Sequence, residues 1–224
     1  MLKAILFDMD GVIVDTEPLH KKAYYMMFDT YNIEMTDSLY ESFTGKSTKN
    51  TCTILVNHFG LSATPLELEH CKRNFFNGLF ETDQSLQLLD GVHDLILDFY
   101  NNGLTLILAS SASMGTINKV FKRFELEKYF TAKISGAELK ASKPHPEIFE
   151  KAAKLAGTTP EHCIVIEDST NGIHAAKAAG CYCVGYDSLH SKNQDYSQAD
   201  FVVTDFKDFS YSKANQLLQK HFIS

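Results

Sequence analysis

The chain begins with Leu2-Lys-Ala-Ile-Leu-Phe7, an apolar run that leads directly into Asp8-Met-Asp-Gly11. A short apolar run that ends at a turn is typical of a strand buried on both faces of a sheet, and a glycine suits the tight loop that follows it. We therefore expect a central strand with Asp8 and Asp10 at its carboxyl end.

The same pattern recurs in the second half of the chain, where apolar runs alternate with helix-length segments. The runs span residues 104–109, 163–166, 181–185 and 201–203, and the segments span 92–101, 114–124, 146–156 and 170–179. Alternating strands and helices favour a parallel sheet with helices on both faces. The predicted fold class is α/β, a doubly wound, Rossmann-like parallel sheet.

The segment from residue 16 to 86 departs from this alternation. It carries helical patterns broken by turn residues, and it offers no convincing strand. Because this segment is inserted just after the first strand, we expect it to sit above the carboxyl edge of the sheet. The predicted domains are a Rossmann-like catalytic core of residues 1–15 and 87–224 and an inserted α-helical cap of residues 16–86.

Composition limits the possible partners. Twenty-one basic and 28 acidic side chains give a formal charge of -7, and no long basic run suggests nucleic-acid binding. Asp8 and Asp10 interrupt the first apolar run, and no later run approaches membrane-spanning length. We expect a cytoplasmic monomer. The five cysteines lack the spacing of a metal or disulfide motif, which indicates free thiols.

Polar residues gather where the predicted strands end. In an open parallel sheet these ends form the ligand-binding edge. Converging carboxylates repel one another unless a cation joins them, and a few hard oxygen ligands suit Mg²⁺. The residues concerned are Asp8 and Asp10 after the first strand, Ser110 and Ser111 after the second, Glu167 and Asp168 after a later one, and Lys143 in a loop before a helix.

These residue types support phosphoryl transfer. With Mg²⁺ and Lys143 drawing charge from a phosphoryl group, Asp8 can act as a nucleophile. Asp10, two residues further on, is the candidate general acid and base. Ser110 offers a hydroxyl, and Ser111 a backbone N–H, to the phosphoryl oxygens. Taken alone, Ser110 would be interpreted as a helix cap.

Four short motifs occur in a specific order and spacing. They are Asp8-Met-Asp-Gly-Val-Ile-Val-Asp15, Leu-Ala-Ser110-Ser, Ser-Lys143-Pro-His-Pro and Ile-Glu167-Asp168-Ser-Thr-Asn-Gly-Ile. Together they resemble the haloacid dehalogenase superfamily, in the subclass with a helical cap that includes β-phosphoglucomutases and small sugar-phosphate phosphatases. The resemblance implies that Asp8, the Asp10 carbonyl and Asp168 hold Mg²⁺ and that Glu167 supports it. Dehalogenases that attack carbon lack the second aspartate, so Asp10 favours phosphoryl transfer.

The resemblance also assigns candidate substrate-binding residues to the cap. His20 matches a position that, in the mutases, couples cap closure to the acid/base aspartate. β-Phosphoglucomutases carry Ser-Lys-Asn after the second-motif serine and an Arg in the cap, whereas this chain has Ala112-Ser113-Met114 and Thr48 there. This difference disfavours a mutase, although Lys46 or Lys49 could supply the missing charge. For each cap residue a solvated helix face is the alternative. The candidates are His20, Gly45, Lys46, Ser47 and Arg73.

Three functions remain open from the sequence. The first is a Mg²⁺-dependent phosphohydrolase that acts on a small sugar or polyol phosphate through an aspartyl-phosphate on Asp8. The second is a β-phosphoglucomutase that interconverts β-glucose 1-phosphate and glucose 6-phosphate. The third is a non-catalytic phospho-accepting switch, because receiver domains also combine strand-end carboxylates with a hydroxyl and a lysine. The size of the predicted cap and the presence of Asp10 favour an enzyme.

Overall fold

The computed structural model describes residues 1–43, 48–187 and 193–222. The chain divides into two compact units, one formed by Met1–Asp15 with Gln87–Ser224 and the other by Thr16–Leu86. We call them the sheet unit and the helical unit. Among the described residues, no helix combines the length and apolar character that crossing a membrane requires.

The described residues of the sheet unit form a fully parallel six-stranded sheet in the order β3-β2-β1-β4-β5-β6. This confirms the predicted fold class. The third strand was not predicted, because it is a short edge strand with one β-branched residue, and its pairing with β2 stabilises it. The strands are β1 Ala4–Phe7, β2 Thr105–Ser110, β3 Ala132–Ser135, β4 Cys163–Glu167, β5 Tyr182–Tyr186 and β6 Phe201–Val203.

The helical unit consists of helices packed around their own apolar cluster, in which Phe28, Leu55 and Leu68 are buried. Its longest helix begins with a capping box, in which the Thr64 hydroxyl accepts from the Glu67 N–H and the Glu67 carboxylate accepts from the Thr64 N–H. The helices in the described part of this unit are α1 Glu17–Thr30, α2 Asp37–Glu41, α3 Thr48–Phe59 and α4 Pro65–Thr82.

Helices cover both faces of the sheet, which explains why β1 is buried along its whole length. On one face Phe7 contacts the rings of Phe99 and Phe130, and on the other Leu6 joins an apolar cluster with Phe149 and Ile173. All five cysteines are free thiols, as predicted. The helices of the sheet unit are α5 Val92–Asn101, α6 Met114–Arg123, α7 Glu147–Leu155, α8 Thr170–Ala178 and α9 Tyr211–His221.

The chain leaves the sheet unit and returns to it at two neighbouring points. Val14 forms an antiparallel bridge with Leu88, and the Leu89 N–H donates to the Ile13 carbonyl over 2.9 Å. The two ends of the sheet unit that flank the insertion are therefore hydrogen-bonded to each other.

Candidate active site

Register brings three strand ends side by side. β1 pairs in parallel with β2 on one side and with β4 on the other, and Phe7 lies opposite a residue of each. The residues that come next in these three strands are Asp8, Ala109 and Glu167. Adjacent parallel strands are about 4.8 Å apart, so a single side chain can reach all three positions.

Lys143 is that side chain. Its Nζ donates hydrogen bonds to Asp8 Oδ1 over 2.5 Å, to Glu167 Oε1 over 2.7 Å and to the Ala109 carbonyl over 3.0 Å. The side chain of Glu167 is only 1% exposed, whereas that of Asp8 retains 9%. Of the two carboxylates, Asp8 is therefore the more accessible to a substrate.

The cluster around Lys143 contains more carboxylates than ammonium groups. Burial alone would lower the pKa of Lys143, but Asp8 and Glu167 outweigh it and raise that pKa above its ordinary value, so the ammonium stays charged. Burial raises the pKa of Asp8, and although Lys143 opposes this, Glu167 and Asp168 add to the rise. One ammonium thus faces three carboxylates, and the site favours a further cation.

Asp168 is held against the loop that follows β1. Gly11 has a φ of +83°, and a Cβ built on it would collide with the Asp168 carboxylate. Only glycine provides both the left-handed backbone and the room that Asp168 occupies. Asp168 is therefore positioned beside the Asp8–Asp10 loop, where the sequence predicted a metal ligand.

Glu167 is fixed from a second direction. Its Oε2 accepts from the Ser169 N–H and from the Ser169 hydroxyl, both over 2.9 Å. The absence of a side chain at Gly172 makes room for this carboxylate. Since both oxygens of Glu167 accept protein hydrogen bonds, its carboxylate is suited to supporting the site rather than to being a principal metal ligand.

Ser110 lies at the end of β2 and is buried. Its Oγ accepts from the Ala112 N–H over 3.1 Å, and Ser135 donates to the Ala112 carbonyl over 2.7 Å, so the loop is held on both sides. Within the described residues the Ser110 hydroxyl accepts the bond from Ala112 but donates none, which leaves its proton able to bond to a phosphoryl oxygen. Ser111 is exposed, and Ser113 rather than Ser110 caps α6.

Asp10 lies in a compact turn. The Gly11 N–H donates to the Val14 carbonyl over 2.7 Å, while the Ile13 and Val14 N–H groups donate to the Met9 carbonyl. These bonds fix the backbone on both sides of Asp10, whose side chain is half-buried. The turn thus places a second carboxyl group two residues after Asp8.

The donor set of this edge fits Mg²⁺. In the described part of the chain, no three His, Cys, Asp or Glu side chains stand close enough to form a metal site by themselves. The predicted set does not require three, because it combines the Asp8 and Asp168 carboxylates with the Asp10 backbone carbonyl. Mg²⁺ commonly uses one or two protein carboxylates and completes its shell with water and phosphate oxygens.

A second polar cluster lies within the helical unit. Lys72 of α4 is only 4% exposed, and its Nζ donates to Nδ1 of His20 in α1 over 2.7 Å. The His20 ring stacks on Phe76 with centroids 4.2 Å apart, and the Lys72 ammonium lies 4.8 Å from the Tyr24 ring centroid. Burial, and secondarily Lys72, lower the pKa of His20 to about 3, so its imidazole is neutral.

Sequence reasoning identified His20 but missed Lys72. A lysine in an amphipathic helix is ordinarily taken as a solvated residue, and only the packing of Tyr24 and Phe76 around it shows otherwise. Arg73, the candidate that follows Lys72 in the sequence, is 59% exposed and pairs with Glu69 over 2.5 Å. The other candidates, Gly45, Lys46 and Ser47, lie outside the described residues.

Comparisons with known proteins agree with this architecture. The sequence matches the family described as haloacid dehalogenase-like hydrolase over residues 5–186. The phosphorylated carbohydrates phosphatase of Thermotoga maritima is 32% identical over 197 residues, covering 86% of this chain and 88% of that protein. The β-phosphoglucomutase of Bacillus subtilis is 29% identical over 214 residues, covering 93% of this chain and 92% of that protein.

Comparison with solved structures also finds a similar fold in a related enzyme. The crystal structure of β-phosphoglucomutase from Clostridium difficile superposes with a TM-score of 0.83 at 26% identity and covers 100% of both chains. The chain belongs to the haloacid dehalogenase-like hydrolases. Its enzymatic class is that of a phosphoric monoester hydrolase. The predicted family and class are both confirmed.

Proposed function

We propose that the protein is a Mg²⁺-dependent phosphatase of a small phosphorylated carbohydrate, with Asp8 as the nucleophile. The observation that carries this proposal is the Lys143 ammonium bridging Asp8 and Glu167 at adjacent strand ends, with Asp168 packed on Gly11. This arrangement presents one accessible carboxylate in a buried and strongly charged site. Such preorganised electrostatics are what phosphoryl transfer requires.

In the first half-reaction, an Asp8 oxygen forms a bond to phosphorus while the bond from phosphorus to the leaving oxygen breaks. Asp10 gives its proton to that oxygen, which departs as an alcohol. In this proposal the positive charge of Lys143 and the hydroxyl of Ser110 stabilise charge on the phosphoryl oxygens. The product is an aspartyl-phosphate on Asp8.

In the second half-reaction, water attacks the same phosphorus and gives a proton to Asp10. The bond between phosphorus and Asp8 breaks, so that inorganic phosphate leaves and both carboxyl groups regain their starting states. When bound, Mg²⁺ would offset charge on the carboxylates and on the phosphoryl oxygens.

The substrate class is proposed from the relatives. The Thermotoga maritima protein is named for phosphorylated carbohydrates, and we assign the same class to this chain. We further propose that Thr16–Leu86 is the substrate-selecting cap and that His20 contributes to substrate binding, with its imidazole positioned by the buried Lys72. The proposal includes the sequence-based roles of Gly45, Lys46, Ser47 and Arg73 in substrate binding.

β-Phosphoglucomutase activity is the second candidate, favoured by the similarity to the Bacillus subtilis enzyme. A mutase must hold a second phosphate, for which cationic groups near the second motif are suited. In this chain Ser113 caps α6 there, with its Oγ accepting from the Thr116 N–H, and neither Ala112 nor Met114 is cationic. Because of this difference we favour the phosphatase over the mutase.

The decisive experiment measures phosphate release from a panel of sugar and polyol phosphates with Mg²⁺, beside a coupled assay for conversion of β-glucose 1-phosphate to glucose 6-phosphate. Release from one substrate group without isomerisation would support the phosphatase. Asp8→Asn is the matched control, because the amide preserves shape but cannot attack phosphorus, and we expect a loss of at least about 10³-fold. Isomerisation much faster than release would instead support the mutase.

A further inference from the structure

Residues 194–196, which lie between β5 and β6 in the sequence, are hydrogen-bonded to the residues that follow β4. Tyr196, in this segment, donates its hydroxyl to the Asp168 backbone carbonyl over 3.0 Å, and the same hydroxyl lies 3.2 Å from the Tyr186 carbonyl at the end of β5. The hydroxyl therefore links the end of β5 to the residue that follows β4. Tyr196 is 28 positions from Asp168 in the sequence, and no sequence motif predicted this link.

The Tyr196 ring occupies a space that a glycine provides. A Cβ built on Gly185 would lie 2.8 Å from Cδ1 of Tyr196 and 3.2 Å from Cβ of Ala199. Gly185 lies in the buried strand β5, where any side chain would press on the ring. The direction of the Tyr196 hydroxyl is thus set by packing as well as by its hydrogen bonds.

A second connection lies just beyond Asp168. The Gln194 Oε1 accepts from the Thr170 N–H over 2.8 Å and from the Thr170 hydroxyl over 3.0 Å, while the Asp195 N–H donates to the same hydroxyl over 2.8 Å. Thr170 is the first residue of α8, so Gln194 satisfies one of the N–H groups that a helix start leaves unpaired. The short stretch from Asp168 to Thr170 is held at both ends.

Asp168 has little freedom to adjust. Its carboxylate fills the space at Gly11, so a change in its backbone position would move the carboxylate against the loop that follows β1. Groups that hold the ligands of a metal usually affect its affinity even though they do not touch it. The Tyr196 hydroxyl is such a group with respect to the Asp168 carbonyl.

We propose that Tyr196 is a positioning residue for cation binding, acting through the backbone of Asp168. The inference rests on the proposed Mg²⁺-dependent function. It goes beyond that function because it assigns a role to a residue outside the four motifs. Removing the Tyr196 hydroxyl should weaken Mg²⁺ binding while leaving the fold and the identity of the substrate unchanged.

The test is isothermal titration of Mg²⁺ into the full chain without substrate. Tyr196→Phe removes only the oxygen and keeps the ring beside Gly185, and we expect the Kd for Mg²⁺ to rise roughly three- to tenfold. At saturating Mg²⁺, phosphate release by this variant should return close to the wild-type rate. Gly185→Ala, which displaces the ring, should raise the Kd in the same direction.

Tyr182→Phe is the matched control. The Tyr182 hydroxyl also bonds to a backbone carbonyl of the neighbouring segment, that of Asp200 over 3.5 Å, but it does not contact Asp168. We expect this variant to bind Mg²⁺ within twofold of wild type. Circular dichroism and chemical unfolding of every variant establish that the fold is retained.

The outcomes separate the inference from the function on which it rests. If wild-type protein binds Mg²⁺ and both Tyr196→Phe and Gly185→Ala bind it equally well, the positioning role is wrong and the proposed function stands. If Tyr182→Phe weakens binding as much as Tyr196→Phe, the effect is a general loss of stability and the positioning role is again wrong. If wild-type protein binds no Mg²⁺, both the proposed function and the inference fail.

Discussion

At the scale of single residues, Lys143 is the side chain that joins the carboxylates of the candidate active site. Its ammonium is the charged partner of two carboxylates that come from different strands, and all three side chains are buried. A buried ion pair often contributes little net stability, but removing one partner leaves the other charge buried and unpaired. We therefore expect Lys143 to contribute both to the stability of the fold and to the proposed chemistry.

We predict that Lys143→Met lowers the free energy of unfolding by about 3–5 kcal/mol at pH 7 and reduces phosphate release by orders of magnitude. Without the ammonium, the pKa of Asp8 rises further, so the folded state binds more protons than the unfolded state and the stability deficit should shrink as the pH is lowered. Urea unfolding at pH 8 and pH 5 measures this. Lys154→Met, at an exposed position of α7, should change neither property. An equal deficit at both pH values would contradict the charge argument.

At the scale of an element, the turn after β1 also brings together groups from different strand ends. Its backbone bonds fix Met9 to Val14, and its glycine leaves room for an acidic side chain that belongs to a different strand end. The turn therefore connects two motifs that are more than 150 residues apart in the sequence.

Gly11→Ala should abolish Mg²⁺ binding, because the new Cβ would displace the Asp168 carboxylate as well as strain a backbone with φ of +83°. Gly180→Ala separates these two effects, since Gly180 has φ of +81° and nothing within 4 Å of its added Cβ. We expect Gly180→Ala to lose about 1 kcal/mol of stability and to bind Mg²⁺ normally. Calorimetric titration of both variants measures the difference. Equal Mg²⁺ affinities would show that Asp168 can move freely.

Within the helical unit, α1 and α4 are joined by an uncharged histidine and a buried lysine. The pKa of His20 is lowered to about 3 in the folded protein, mainly by burial and further by Lys72, whereas an unfolded histidine titrates near 6.5. Below pH 6.5 the unfolded state therefore binds a proton that the folded state does not. The stability contributed by His20 is complete above that pH and is lost as the pH falls toward 3.

We predict that wild-type protein loses about 1–2 kcal/mol more stability between pH 7 and pH 5 than His20→Asn does. Asparagine retains an oxygen that can accept from Lys72 but has no group that titrates in this range. Urea unfolding of both proteins at the two pH values provides the measurement. Parallel pH dependences would mean that His20 titrates normally in the folded state.

For the molecule as a whole, the sequence was most informative where reactive residues come directly after predicted strands. Apolar runs that end in Asp, Ser or Glu-Asp indicated both the strands and the edge at which their polar residues meet, so Asp8, Ser110, Glu167 and Asp168 could be placed together. Lys72 and Tyr196 could not be found in this way. Their positions depend on packing between segments that are distant in the sequence, and neither residue type is unusual in its local pattern.

The division into two units leads to a prediction for the whole chain. The proposed chemical residues Asp8, Asp10, Lys143 and Asp168 lie in the sheet unit. Replacing residues 16–86 with a short glycine-serine linker should therefore leave a folded protein that binds Mg²⁺, because the hydrogen bond from Leu89 to Ile13 already joins the cut ends. Circular dichroism and Mg²⁺ titration of the shortened chain measure this. An unfolded product would show that the sheet unit needs the helical unit to fold.

The bridge between Val14 and Leu88 also has a consequence for how such enzymes diverge. A segment that enters and leaves through a single pair of residues can be exchanged, lengthened or rebuilt by local changes in the gene. The reaction would then be inherited with one part of the chain while specificity is free to vary with the other. Descendants of one ancestor could in this way come to act on different phosphate esters and still share a single reaction mechanism.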